Sequence, residues 1–200
     1  MVQADGFILA SASPRRRDIL SQLGLSFRVV PSSVEERLIP DESPEAFAAR
    51  MAAAKADDVA RKLTEHRGEA FVLGADTIVV IDDIILGKPS DDVEANEMLC
   101  RLRGRWHEVI TAIALRRTES AFREDQIVST RVLFRDLDRA TIRRYIASGE
   151  GRDKAGSYAI QGLGIGLVSE IDGSYTNVVG LPATQTLALL AHEGVVRQWP

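Results

Sequence analysis

Phe71-Val72-Leu73-Gly74-Ala75-Asp76-Thr77-Ile78-Val79-Val80-Ile81-Asp82-Asp83-Ile84-Ile85-Leu86 is the stretch on which the fold turns. Apolar, largely β-branched residues run from Phe71 to Leu73 and again from Thr77 to Ile81, the composition of a buried strand. Asp82-Asp83 supplies a turn, and Ile84–Leu86 reads as the returning strand of a hairpin. Elsewhere strands alternate with helices, which predicts an α/β protein. A hairpin inside such a chain predicts a mixed sheet, because parallel neighbours need long crossovers and antiparallel ones do not. The same stretch holds one carboxylate, Asp76, in apolar surroundings where an unpaired charge is costly.

Working towards the N-terminus, Gly6–Ser11 reads as the first strand and Pro14–Leu23 as a helix. Ser13 suits the cap of that helix, Pro14 its first turn and Gly24 its end. Phe27–Val30 is a second strand, and Ser43-Pro44 opens an alanine-rich helix to about Leu63. Towards the C-terminus, Asp92 suits the cap of a helix over Val93–Leu102 that stops near Gly104. Val109–Leu115 and Ile127–Phe134 are β-rich and pair as a second hairpin. Asp138 opens a helix through Ile146. The glycine-rich segment Gly149–Gly166 leads into a strand, Gly166–Ile171. The last helix runs from Pro182 to near Gly194. No repeat, low-complexity tract or linker interrupts the chain, so residues 1–200 read as one domain: a central mixed, twisted sheet flanked by helices.

Composition narrows the function classes. Of 200 residues, 45% are hydrophobic and 27% charged, which excludes a disordered chain, a collagen-like chain and a small disulfide scaffold. Twenty-five basic against 29 acidic residues leave a net charge of −4, a poor basis for bulk nucleic-acid binding. The one cysteine, Cys100, reads as a small core residue on an apolar helix position, and a reducing cytoplasm fits its solitude. After Asp5, the short apolar run Phe7–Ala10 is followed by arginines instead of preceded by them, unlike a secretory leader. No apolar stretch approaches the ~18 residues of a membrane span.

Four polar constellations carry the chemistry. In Ser11-Ala12-Ser13-Pro14-Arg15-Arg16-Arg17 a strand ends, a helix begins, and arginines fill the first turn. Cations there oppose the helix dipole by ~0.3–1 kcal/mol each at exposed sites. A docked anion explains them, because amide N–H groups and guanidinium forks then point at the same oxygens. A solvated charge run beside an ordinary cap is the plain alternative. In Gly74-Ala75-Asp76-Thr77, Asp76 is either a carboxylate bonding local backbone at a strand irregularity or a metal ligand or general base on a rigid strand. Gly87-Lys88-Pro89 follows the hairpin without the spaced glycine of a P-loop, and Lys88 is either a plain loop residue or a point charge for a phosphate. In Asp153-Lys154-Ala155-Gly156-Ser157-Tyr158-Ala159-Ile160-Gln161-Gly162, glycines permit close backbone approach, and Gln161 offers a donor and an acceptor to a base edge. Composition alone favours a flexible loop there. Gly173-Ser174-Tyr175-Thr176-Asn177 and Gly180-Leu181-Pro182 have the composition of a turn and then a helix start. His66, His107 and His192 have no metal-ligand spacing with one another or with Cys100, and no G-x-S-x-G elbow is present.

Taken in order, these blocks resemble the Maf family of nucleoside triphosphate pyrophosphatases. The matching segments are Leu9–Arg16, Gly74–Thr77, Gly87–Pro89, His107-Glu108-Val109-Ile110-Thr111, Asp153–Gly162 and the stretch from Gly173 to Pro182. Each block is weak alone, whereas the ordered set is specific and covers most of the chain. Ala183 stands where a leucine is usual, a departure that bears on helix packing more than on chemistry. The resemblance implies an elongated α/β fold with two lobes around a cleft. It implies hydrolysis of a nucleoside triphosphate to monophosphate and pyrophosphate with a divalent metal, Mg²⁺ or Mn²⁺, and homodimers are common in the family. Tyr158-Ala159-Ile160-Gln161-Gly162 and Ser174–Asn177 look like the dTTP/UTP branch. By this resemblance Asp76 is the proton acceptor, and Arg15, Thr77 and Gln161 occupy positions associated with substrate selection. Ser11, Arg16, Glu35, Lys55, Lys88 and Lys154 match further polar positions.

The expected chemistry follows from charge. Arg15 and Arg16 would fork onto phosphate oxygens, with Lys55, Lys88 and Lys154 as point charges. Glu35 and Asp76 are the expected carboxylates for the metal, and Asp76 would orient and deprotonate a water for attack at the α-phosphorus. Gln161 would read the uracil or thymine edge and so reject purines. Two other classes compete: a non-catalytic nucleotide-binding regulator, for instance of cell division, and a phosphatase acting on small phosphoesters. Neither nucleic acid nor membrane is an expected partner.

Overall fold

The structure, a computed structural model, describes residues 6–64, 70–196 and 199. Asp5 and His66, which entered the sequence reading, lie outside the described residues. The strands are β1 (Phe7–Leu9), β2 (Phe27–Val29), β3 (Phe71–Ile81), β4 (Ile84–Leu86), β5 (Trp106–Arg117), β6 (Arg123–Phe134) and β7 (Val168–Asp172). The helices are α1 (Pro14–Gln22), α2 (Pro44–Thr64), α3 (Asp92–Leu102), α4 (Arg139–Ala147), α5 (Tyr175–Val179) and α6 (Ala183–His192), with two short 3₁₀ segments at Ala155–Ser157 and Gly162–Leu167.

The strands form one mixed sheet in the order β2-β1-β3-β5-β6-β7, with β4 paired to β3. β1 runs parallel to β2, with Phe7 beside Phe27, and parallel to β3, with Ile8 beside Val72. β3 and β4 form the antiparallel hairpin read from the sequence, closed by Asp82 and Asp83, both at positive φ. Two adjacent left-handed residues match the right-handed twist of a two-residue hairpin, and aspartate tolerates that conformation better than most residues. β7 returns antiparallel on β6. β3 is buried along nearly its whole length, as a strand covered on both faces must be. The outer half of β6 alternates exposed and half-buried residues.

The chain divides into two compact units. The first comprises residues up to Asp76, Thr111–Val128 and the segment from Gly180. Phe7, Ile8, Leu9 and Leu73 of the sheet are fully buried there, as is the α2 face Ala48, Met51, Ala52, Ala56 and Val59. Those α2 positions recur at three- and four-residue intervals, the stripe of a helix lying on a core. The second unit comprises Thr77–Ile110 and Ser129–Val179, with Leu99, Leu102, Ile110, Phe134 and Ile142 in its core. There α3 packs against α4 and against the 3₁₀ segment Ala155–Ser157.

Several elements differ in detail from the sequence reading. β5 is longer than Val109–Leu115, because polar residues at its ends (His107, Arg116) are buried and keep the ladder going, and β6 extends before Ile127 through the half-exposed run Arg123–Gln126. The cap of α3 is Asp91, not Asp92: its Oδ1 accepts from Val93 N at 2.9 Å and Glu94 N at 2.8 Å. Ser13 precedes α1 without a side-chain cap bond, and its own N–H donates to Ser11 Oγ instead. The polar run after Gly173 contains a short helix, α5, where a turn was expected. Cys100 is half-buried, not a full core residue. Among the described residues, no helix is long and apolar enough to cross a membrane.

Candidate functional site

The first unit gathers charge around the end of β1 and the middle of β3. Asp76 is only 4% exposed. Its Oδ1 accepts a 2.6 Å bond from Lys55 Nζ, and the same ammonium donates at 2.6 Å to Glu36 Oε1. Lys55 lies on the inward stripe of α2 and its side chain is 13% exposed. A lysine there is tolerable only because two carboxylates meet it. Gly74 makes the contact reachable. A Cβ on Gly74 would stand 2.3 Å from Ala52 O and 2.8 Å from Ala56 N, both backbone atoms of α2. Only glycine lets the helix lie that close to the strand, one residue from Lys55 and two from Asp76.

Arg16 turns inward from the first turn of α1 and is 8% exposed. Its Nε donates to Gly180 O at 2.8 Å, and its Nη1 donates to Ala75 O at 2.8 Å and to Ser11 Oγ at 3.0 Å. Burial lowers its pKa from the ordinary arginine value, opposed by the attraction of Asp76, reinforced by Arg15 and opposed again by Glu36. Arg15, Glu36 and Asp76 therefore all stand within electrostatic reach of one guanidinium. The resemblance places Arg16 on the phosphates; in this fold two of its nitrogens, Nε and Nη1, bond protein groups. Its donors hold the backbone just before Asp76 and the buried hydroxyl of Ser11. Arg15, the preceding residue, is half-buried and acts electrostatically on Arg16.

Glu35, the carboxylate expected at the metal, points elsewhere. Its side chain is 71% exposed and pairs with Arg37 at 2.8 Å. Glu36, the next residue, is the carboxylate that meets Lys55.

The second unit holds the remaining sequence-predicted residues. Thr77, half-buried, follows Asp76 on β3. Lys88 is exposed, and Gly156 N donates to Gly87 O at 3.0 Å, which joins the Lys88 segment to the glycine-rich loop. Lys154 Nζ donates to Glu150 O at 3.3 Å and to the neighbouring Asp153 carboxylate. Gln161 is exposed, in extended backbone between the two 3₁₀ segments. Two groups missed in the sequence reading hold that loop. His107 Nε2 lies 2.8 Å from Tyr158 Oη, with Phe134 packed edge-on to both rings. Burial pushes the His107 pKa down to about 4, so the imidazole is neutral near pH 7. On the other side, Tyr145 and Glu150 bond the loop backbone.

Among the described residues, no three His, Cys, Asp or Glu side chains cluster as a protein-only metal cage. Mg²⁺ does not need one, since it keeps waters and takes one or two carboxylates together with substrate phosphates. Asp76 and Glu36, hard oxygen donors meeting at one ammonium, fit that requirement.

A strand carboxylate and an arginine-bearing helix start on an α/β sheet describe a class of anion-handling protein. The chain matches the family described as Maf-like protein over residues 6–193, and it belongs to that family. Its relatives include a dTTP/UTP pyrophosphatase of Syntrophomonas wolfei subsp. wolfei, 48% identical over 93% of this chain and 96% of that one. A dTTP/UTP pyrophosphatase of Desulfotalea psychrophila is 47% identical over 94% of this chain and 95% of its own. One of Geotalea uraniireducens is 47% identical over 98% of this chain and all of its own.

Proposed function

We propose that this protein is a nucleoside triphosphate pyrophosphatase that hydrolyses dTTP and UTP to the monophosphate and pyrophosphate. The observation that carries the reading is Asp76, a nearly buried strand carboxylate tied to Lys55 and within electrostatic reach of Arg16. Relatives near 47% identity along nearly the whole chain, each named dTTP/UTP pyrophosphatase, support it.

Arg15 and the α1 N-terminus bind the triphosphate tail, with Lys88 and Lys154 as further point charges. Lys55 holds Asp76 Oδ1, so the other carboxylate oxygen is directed to the attacking water, orients it and takes its proton. Arg16 fixes the main chain at Ala75 and hence the aim of Asp76. A divalent cation, Mg²⁺ or Mn²⁺, held by Asp76 and Glu36, would neutralise phosphate charge when bound. Gln161 reads the pyrimidine edge, with Thr77 and Arg15 sharing in substrate selection. A cytoplasmic location and a homodimer complete the proposal.

The test follows pyrophosphate and orthophosphate separately from UTP and dTTP with Mg²⁺. Pyrophosphate with nucleoside monophosphate is the expected product, and orthophosphate with nucleoside diphosphate refutes attack at the α-phosphorus. Asp76→Asn should lower kcat by ~10²–10⁴ while the protein stays folded and binds nucleotide. Undiminished turnover in that variant removes Asp76 from the chemistry.

A further inference from the structure

We infer that Glu150, acting with Tyr145, is the positioning residue that fixes the base-reading segment around Gln161; this rests on the reading that Gln161 meets the pyrimidine. Glu150 Oε2 accepts from Leu163 N at 2.8 Å, and its Oε1 accepts from Gly164 N at 2.8 Å. Tyr145 Oη donates to the same Oε1 at 3.1 Å and accepts from Ala159 N at 3.1 Å. The pinned amides thus lie two residues before Gln161 and two and three residues after it. Burial, together with the charge of Glu150, raises the Tyr145 pKa against the bond from Ala159, so the phenol stays a donor.

The loop is built around this carboxylate. Gly162 has φ +63°, and a Cβ there would stand 2.4 Å from Glu150 Oε2. A Cβ on Gly164 would stand 1.9 Å from Ala159 O and 2.9 Å from Tyr145 Oη. The segment so ordered buries Ala159 and Ile160 at its start, whereas Gln161, Leu163 and Ile165 are all exposed. A half-buried carboxylate spent on holding exposed side chains in place indicates a presenting role. The clamp also reaches a phosphate-binding candidate, because Lys154 Nζ donates to the Glu150 carbonyl.

The chemistry demands an acceptor at both oxygens. Glu150→Gln keeps the shape and turns an NH₂ towards a backbone N–H, so one amide loses its partner. Selectivity is read as kcat/KM for UTP divided by kcat/KM for ATP, a ratio that does not depend on the fraction of protein folded. Glu150→Gln should lower the ratio about tenfold or more, through KM for UTP, as expected when a binding group is misplaced. Combined with Gln161→Ala it should lower the ratio no further than Gln161→Ala alone, since both changes remove one interaction. Tyr145→Phe, which keeps the ring, should move the ratio in the same direction and serves if Glu150→Gln does not fold. A ratio within about twofold of wild type in Glu150→Gln and Tyr145→Phe, while Gln161→Ala loses it, overturns the positioning role. A ratio preserved in Gln161→Ala instead removes the base-reading assignment on which the role rests.

Discussion

Replacing Arg16 with methionine separates two roles that the residue type alone does not distinguish. As a brace, Arg16 donates charged hydrogen bonds to Ala75 O, Gly180 O and Ser11 Oγ. Methionine fills much of the same volume and donates nothing. The two carbonyls then lose a partner in a buried place, at ~1–3 kcal/mol each. Relief of the buried charge offsets part of this, so a net loss of about 3 kcal/mol is expected. For a chain of this size that lowers Tm by about 6–12 °C, measured by circular dichroism or calorimetry. Because Ala75 adjoins Asp76, kcat should fall as well, with KM for UTP changing little. A residue that forks onto phosphate behaves oppositely: KM rises steeply and Tm hardly moves. That second pattern would refute the brace.

Two further outcomes follow from buried geometry. His107 is neutral in the fold down to about pH 4, whereas the unfolded chain takes up its proton near pH 6.5. Stability is therefore lost as pH falls from 6.5 towards 4, by about 3 kcal/mol from this group; His107→Phe should show a shallower fall of Tm over that range, and parallel curves contradict the assignment. Gly74→Ala places a methyl against the α2 backbone; it should cost about 1–3 kcal/mol by overpacking and reduce kcat by moving Lys55 from Asp76, and unchanged thermal melts and turnover would show that the close approach has no role.

The parts of the fold that were legible in the sequence are those whose cause is local. The β3–β4 hairpin announces itself in Asp82-Asp83 between apolar runs, and the end of α1 in Gly24, which takes φ +70°. The register of the α3 cap slipped by one residue because Asp91 and Asp92 are equally good caps by composition, and only the bond to Val93 and Glu94 chooses between them. The bonds of Arg16 are hidden for a different reason. Its partners at Ala75 and Gly180 are backbone carbonyls, and a carbonyl has no signature in a sequence. The same holds for Glu150, which bonds amides of Leu163 and Gly164.

The pair Lys55 and Asp76 leaves a signature of its own in the sequence. Ala48, Ala52, Lys55 and Val59 fall on one stripe of α2, so Lys55 stands where an alanine or valine belongs. Asp76 stands where β3 otherwise carries apolar residues. Each alone carries the cost of an unpaired charge in a core, and their mutual attraction offsets part of that cost if they meet. Two misfits of opposite sign, on elements separated by a glycine that permits close contact, are therefore a prediction of a pair. The structure places them 2.6 Å apart, with Gly74 of β3 against the α2 backbone. What no pattern supplies is the third member, because Glu35 and Glu36 are chemically identical and only the fold turns Glu36 to Lys55 and Glu35 to Arg37.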